Sequence, residues 1–149
     1  MILGIDPGIS KTGWAFTDQK GLLLCSGIWT GEMVTLAGLI SGRRWSSLQK
    51  SLLEGSLDSV PDLDILSIVI GRGTSSESFV QLLHPQTASA VKLIDESYTT
   101  LEARRLYWKI HEPGISRKIF PFLCQLIPRD IDDLAAWAIV LRYLQERSG

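Results

Sequence analysis

Cysteine and histidine are scarce in this sequence, and positive charge does not exceed negative. Its two cysteines, Cys25 and Cys124, lie far apart among apolar neighbours, with no Cys-x-x-Cys pair and no histidine close by. That pattern argues against a disulfide scaffold or a zinc site and predicts two buried free thiols. The two histidines, His84 and His111, are isolated, and neither is assigned a catalytic role. No apolar stretch approaches the ~20 residues that span a bilayer, and no charged head with an apolar run and small-residue cleavage site opens the chain. The expectation is a cytoplasmic protein with no membrane partner.

Fifteen Lys and Arg against sixteen Asp and Glu leave a formal charge of −1, so there is no global attraction for a polyanion. The distribution is uneven, however. From Leu101 to Arg129 the basic residues are Arg104, Arg105, Lys109, Arg117, Lys118 and Arg129, opposed only by Glu102 and Glu112. Acids gather instead from Glu54 to Asp64 and from Asp130 to Asp133. A basic stripe beside an acidic pocket suits a metal nuclease; a solvated helix face explains the same charges equally well.

At 149 residues the chain has the length of one domain, and a fold of this size buries roughly 68–70% of the surface its unfolded form exposes. Hydrophobic residues at 45% supply the core such a domain needs, and residues 1–149 are read as one unit.

Short apolar runs at Met1 to Ile5, Gly13 to Thr17 and Leu22 to Trp29 read as strands separated by Gly, Pro, Ser and Asp. Their connections are too short for a parallel crossover, so the three should form an antiparallel meander. Thr35 to Leu53 shows a broken helical pattern weakened by Gly38 and Gly42. Leu53 to Asp64 reads as a surface loop. Leu66 to Ile70 is a continuous β-branched run, as in a strand covered on both faces. Ser76 to Leu83 then reads as helix, Ala90 to Ile94 as a fifth strand, and Thr99 to Ile110 as a helix opening with the capping-box pattern Thr99-x-x-Glu102. A last helix runs from about Asp130 to Glu146. The order predicts an α/β fold, a mixed five-stranded sheet with helices on both faces. Right-handed crossovers set the first, fourth and fifth strands side by side and parallel.

Ligands in open α/β sheets gather outside the carboxyl ends of the parallel strands. Asp6 closes the first strand, Gly71 the fourth, and Asp95 with Glu96 the fifth; Asp130, Asp132 and Asp133 stand at the start of the last helix. Converging carboxylates repel unless protonated or bridged, so a shared Mg²⁺ or Mn²⁺ is the expected cofactor. Each acid also has a plain explanation: Asp6-Pro7-Gly8 as a turn, Asp130 as an N-cap with favourable dipole interactions for the acids behind it. On a helical wheel Asp133 faces the apolar side with Trp137 and Val140, which favours Asp133 over Asp132. Gly71-Arg72-Gly73-Thr74-Ser75-Ser76, between strand and helix, offers amides and hydroxyls to a phosphate, with Arg72, Thr74 and Ser75 as contacts. It lacks the lysine of a P-loop. Lys11, beside Gly8 and Gly13, either approaches the same pocket or faces solvent.

The segments Met1-Ile-Leu-Gly-Ile-Asp-Pro-Gly-Ile-Ser-Lys-Thr-Gly13, Ile68-Val-Ile-Gly71, Ile94-Asp-Glu-Ser-Tyr-Thr-Thr-Leu-Glu-Ala-Arg-Arg105 and Asp132-Asp-Leu-Ala-Ala136 resemble, in order, the successive motifs of the YqgF family. The resemblance implies a ribonuclease-H-like three-layer fold and metal-dependent hydrolysis of phosphodiester bonds, most often in maturation of the small-subunit ribosomal RNA precursor. It implies acidic site residues at Asp6, Glu96 and Asp132, and adds Thr100 and Arg104 as nucleic-acid contacts. Matching the following Ala-Ala selects Asp132 where the wheel selects Asp133, and both stay candidates. The opening Asp-Pro-Gly is more similar to RuvC-type Holliday junction resolvases, yet Gly71 stands where those enzymes place a catalytic Glu. Ser97 and Gly71-Arg72-Gly73 also depart from the family pattern, which has Arg and a Gly-x-Pro turn there.

The partner is thus expected to be structured RNA or branched DNA, bound by a monomer or homodimer. A second reading keeps the fold as a nucleic-acid-binding module without chemistry. A third, a sugar-kinase-like ATPase, needs a second domain for which this length has no room.

Overall fold

The structure is a computed structural model and describes residues 1–60, 67–97, 99–111 and 126–149. Cys124, Glu112, Arg117, Lys118 and the end of the first acidic run, Asp62 and Asp64, lie outside the described residues.

Strands β1 (Ile2–Pro7), β2 (Thr12–Thr17) and β3 (Leu23–Trp29) form the expected antiparallel meander. Helix α1 (Met33–Ser41) follows, then a 3₁₀ turn (Trp45–Ser51), strand β4 (Leu52–Gly55) and strand β5 (Ser67–Gly71). Helices α2 (Ser76–Leu82) and α3 (Pro85–Ala88) lead to β6 (Val91–Ile94), after which come α4 (Thr99–Ile110) and α5 (Asp132–Ser148). The sheet order is β4-β3-β2-β1-β5-β6, with β1, β5 and β6 parallel. A meander extended by parallel strands on the far side of β1, with helices on both faces, is the ribonuclease-H-like arrangement expected from the sequence.

Four expectations are corrected. The sheet has six strands, because Leu52–Gly55, expected as the end of the first helix and the start of a surface loop, pairs antiparallel with β3. The helix expected from Thr35 to Leu53 stops at Ser41: Gly42 caps it, Arg43 turns to φ 53°, and the chain resumes as a 3₁₀ turn. Thr99 is the first residue inside α4, and its hydroxyl donates to the Glu96 carbonyl at 2.8 Å, so it is not the accepting cap. The cap of α5 is Ile131, not Asp130.

Strand alternation sorts the core into two layers. Leu3, Ile5, Trp14, Phe16, Ile68 and Ile70 face α1 and α2, whereas Ile2, Ala15 and Val69 face α4 and α5. Buried Leu134, Ile139 and Val140 of α5 each contribute about 1.5–3 kcal/mol to this second layer. The helix lies close because its contact line on the sheet is built from small residues: a Cβ at Gly4 would strike the Ala136 carbonyl, and one at Gly13 the Asp132 carbonyl. Asp6 shares the face of Ile2 and Gly4 and pairs with Gly13, so its side chain is delivered to the first turn of α5. Buried Cys25 is a free thiol, pushed up to about 12 by burial.

Candidate active site

The carboxyl ends of β1, β5 and β6 share one rim of the sheet, and Asp6, Glu96 and Asp132, from distant segments, stand along it. Burial, then the negative charges of Glu96 and Asp132, push the Asp6 carboxyl up from its ordinary 3.8 to about 7. Asp6 thus feels the charges of both Glu96 and Asp132 across the rim. Glu96 reaches the rim by lying over the turn after β5: a Cβ at Gly71 would come 2.7 Å from its Oε2, and one at Gly73 2.6 Å from its Oε1. The two glycines therefore leave the room that Glu96 occupies.

Asp132, the first residue of α5, shares a cleft of about 290 Å³ with Asp6, Thr100, Arg104, Arg129 and Asp130. Thr100 and Arg104 are exposed on α4 and present a hydroxyl and a guanidinium beside the acids. Lys11, in the turn between β1 and β2, places its Nζ 2.9 Å from Asp130 Oδ2 and 3.3 Å from Asp132 Oδ2. The hydrogen bond to Asp130, and then the charge of Asp132, hold its ammonium above the ordinary value even against the cost of desolvation. Arg72 and Thr74 are exposed and Ser75 half-buried, and none of the three lines this cleft. Arg72 instead acts electrostatically on exposed Asp95, whose carboxylate is held low chiefly by hydrogen bonds from Ser97. The guanidinium of Arg142 steadies the same turn, donating to the Ser97 carbonyl at 2.6 Å.

The two neighbouring acids of α5 part company. Asp133 has no exposed surface; its Oδ2 accepts from Ser26 Oγ at 2.7 Å and its Oδ1 from Arg129 Nη1 at 2.8 Å. Its oxygens are thus engaged inside the core, where they tie α5 to β3. The helical wheel placed Asp133 on the apolar side correctly, but that side is the core and not the rim.

Arg129 and Glu54 are the residues that sequence reasoning assigned elsewhere. Arg129 was counted in a basic stripe and Glu54 in a loop, yet Arg129 Nη2 donates to Glu54 Oε1 at 2.7 Å. His111 Nε2 lies 2.5 Å from the same oxygen, and its ring stacks on Tyr107. Burial opposes ionisation of Glu54, but hydrogen bonds from His111 and Arg129 hold it below its ordinary value. The spacing of Arg129 and Asp133, four residues apart, was the available signal.

The donor set suits a hard divalent cation in kind, being all carboxylate oxygen. Its charge suits one as well, since burial, and then the negative charges of Glu96 and Asp132, keep a proton on Asp6 to near neutrality. Among the described residues, no three His, Cys, Asp or Glu side chains are already gathered around one point. No helix among them is long and apolar enough to cross a membrane.

No family model matches the chain. No curated protein matches it either. Among solved structures it is similar to the Thermus thermophilus RuvC structure, with 15% sequence identity and a TM-score of 0.44 over 99% of this chain and 96% of that one.

Proposed function

We propose that this protein is a divalent-metal-dependent nuclease that hydrolyses phosphodiester bonds in structured nucleic acid. The observation that carries the proposal is Asp6 at the rim, a carboxyl lifted to about 7 by burial first and then by the charges of Glu96 and Asp132. A bound Mg²⁺ or Mn²⁺ would make water nucleophilic at neutral pH and stabilise charge on the reacting phosphate. Asp6, Glu96 and Asp132 would hold it. Asp133 is left out, because both its oxygens serve the core.

The chain's own residues supply the rest. Asp6 must give up its proton before it can bind a cation, so metal binding should release protons and strengthen with pH through 7. Thr100 and Arg104 border the cleft and would meet the phosphates either side of the one cleaved. Lys11 is the further candidate contact; Arg72, Thr74 and Ser75 would touch substrate only where it extends beyond the cleft.

The motif resemblance to the YqgF family directs the substrate to a ribosomal RNA precursor in the cytoplasm. A four-way DNA junction is the alternative. Purified protein offered both substrates, with Mg²⁺, Mn²⁺ or chelator, tests the proposal. Cleavage that requires metal and disappears in Asp6→Asn is expected; unchanged cleavage by Asp6→Asn overturns it. The ion pair of Lys11 with Asp132 favours one rival, a binding module without chemistry, which predicts salt-sensitive binding with no cleavage in either ion.

A further inference from the structure

We infer that Lys11 is a built-in counter-cation of the carboxylate rim, neutralising Asp132 in the ion-free protein and yielding that place when a divalent ion arrives. The inference rests on the functional reading above and adds a competitor for the ion within the chain itself. Lys11 reaches Asp132 because the β1–β2 turn is tight: β1 carries Asp6 into the rim, and five residues later the turn brings the Lys11 ammonium to the same first turn of α5. Gly8 permits that tightness, since a Cβ there would strike the Lys11 carbonyl.

At the rim the Lys11 ammonium lies 3.3 Å from Asp132 Oδ2 and is its paired cation. The other nearby cations are committed or remote from it: Arg129 is held by Asp133 and Glu54, and Arg104 forms no ion pair with Asp132 among the described residues. Lys11 is accordingly the cation an incoming ion must displace.

Asp130 makes displacement possible without stranding the lysine. It is 68% exposed, lies nearer the ammonium at 2.9 Å than Asp132 does, and offers a partner to which Lys11 can stay attached. Transfer of Asp132 from ammonium to metal then costs one ion-pair contact, not a desolvated charge. The Lys11 ammonium remains at the edge of the site, where it repels the ion and weakens its binding.

The test is Mn²⁺ affinity, read by electron paramagnetic resonance of the free ion and by calorimetry without any substrate. Lys11→Met should bind Mn²⁺ about tenfold tighter, since removing a unit charge a few ångströms from a divalent ion is worth a factor of this order even in a water-like dielectric. Lys11→Gln should do the same and serves should the Met variant fail to fold. Lys11→Arg should stay within about twofold of wild type. Lys20→Met, which removes an exposed charge in the β2–β3 turn, should change nothing. If wild type binds Mn²⁺, loses it in Asp6→Asn, and Lys11→Met binds no tighter, the inference fails while the nuclease reading stands. Equal tightening by Lys20→Met also overturns it, by showing net charge alone at work. Absence of Mn²⁺ binding in both wild type and Lys11→Met sinks both.

Discussion

Replacing Asp6 with Asn in ion-free protein should stabilise the fold by an amount that depends on pH. Moving a carboxyl from 3.8 to about 7 means that ionising it in the folded state costs ~4 kcal/mol beyond its cost in the unfolded chain, at 1.36 kcal/mol per pH unit. Because the residue is not wholly enclosed, solvent screening trims this to about 2–4 kcal/mol. The sign follows from the raised value. Below about pH 4 both states hold the proton and Asp6 costs nothing; as pH climbs from 4 to 7 the unfolded chain releases it first, and wild-type stability falls. Above 7 the full penalty applies. Asn mimics the protonated acid and avoids it, so urea denaturation in chelator should show equal stability near pH 4 and a gain of about 2–4 kcal/mol for Asp6→Asn at pH 8. For a chain of this length that is roughly 5–15 °C in Tm. Mn²⁺ should then stabilise wild type and leave Asp6→Asn unmoved, since only the native carboxylate binds it. A difference between the two proteins that is flat from pH 4 to 8 would refute the reasoning, because it would mean that neither burial nor the charges of Glu96 and Asp132 raise Asp6.

Neighbouring positions should separate stability from activity. Asp133→Ala removes both the Ser26 and the Arg129 partner from a fully buried site and should cost about 3–5 kcal/mol in chemical denaturation; Asp132→Ala should cost under about 1 kcal/mol while abolishing cleavage, its only described ion pair being the partly exposed one with Lys11. Gly13→Ala drives a methyl into the Asp132 carbonyl and should destabilise by about 1–3 kcal/mol or more, with cleavage lost beyond what the unfolded fraction explains. Glu54→Gln weakens the link from β4 to Arg129 and His111, and faster amide exchange confined to Leu52–Gly55 is the expected signature.

Local pattern was enough to read the meander and the parallel β1, β5 and β6. The alternation of Leu3 and Ile5 with Gly4 and Asp6 is a period-two signal carried by four consecutive residues, and connection lengths alone dictated which strands run parallel. Pairing across distance was not legible. Glu54 sits in a segment whose composition reads as loop, and it becomes an edge strand only because β3 offers an open side. Asp132 and Asp133 are adjacent and chemically identical; helical periodicity put Asp133 on the inner side but could not say whether the inner side was core or cleft. Ser26 and Arg129, one from β3 and one from the approach to α5, decide that by engaging Asp133. The same holds for Lys11, whose charge is plain in the sequence but whose partners are chosen by how closely α5 settles onto Gly4 and Gly13. A hydrogen bond or ion pair between residues far apart in the chain depends on the relative placement of whole elements, and that placement is set by packing of the completed core.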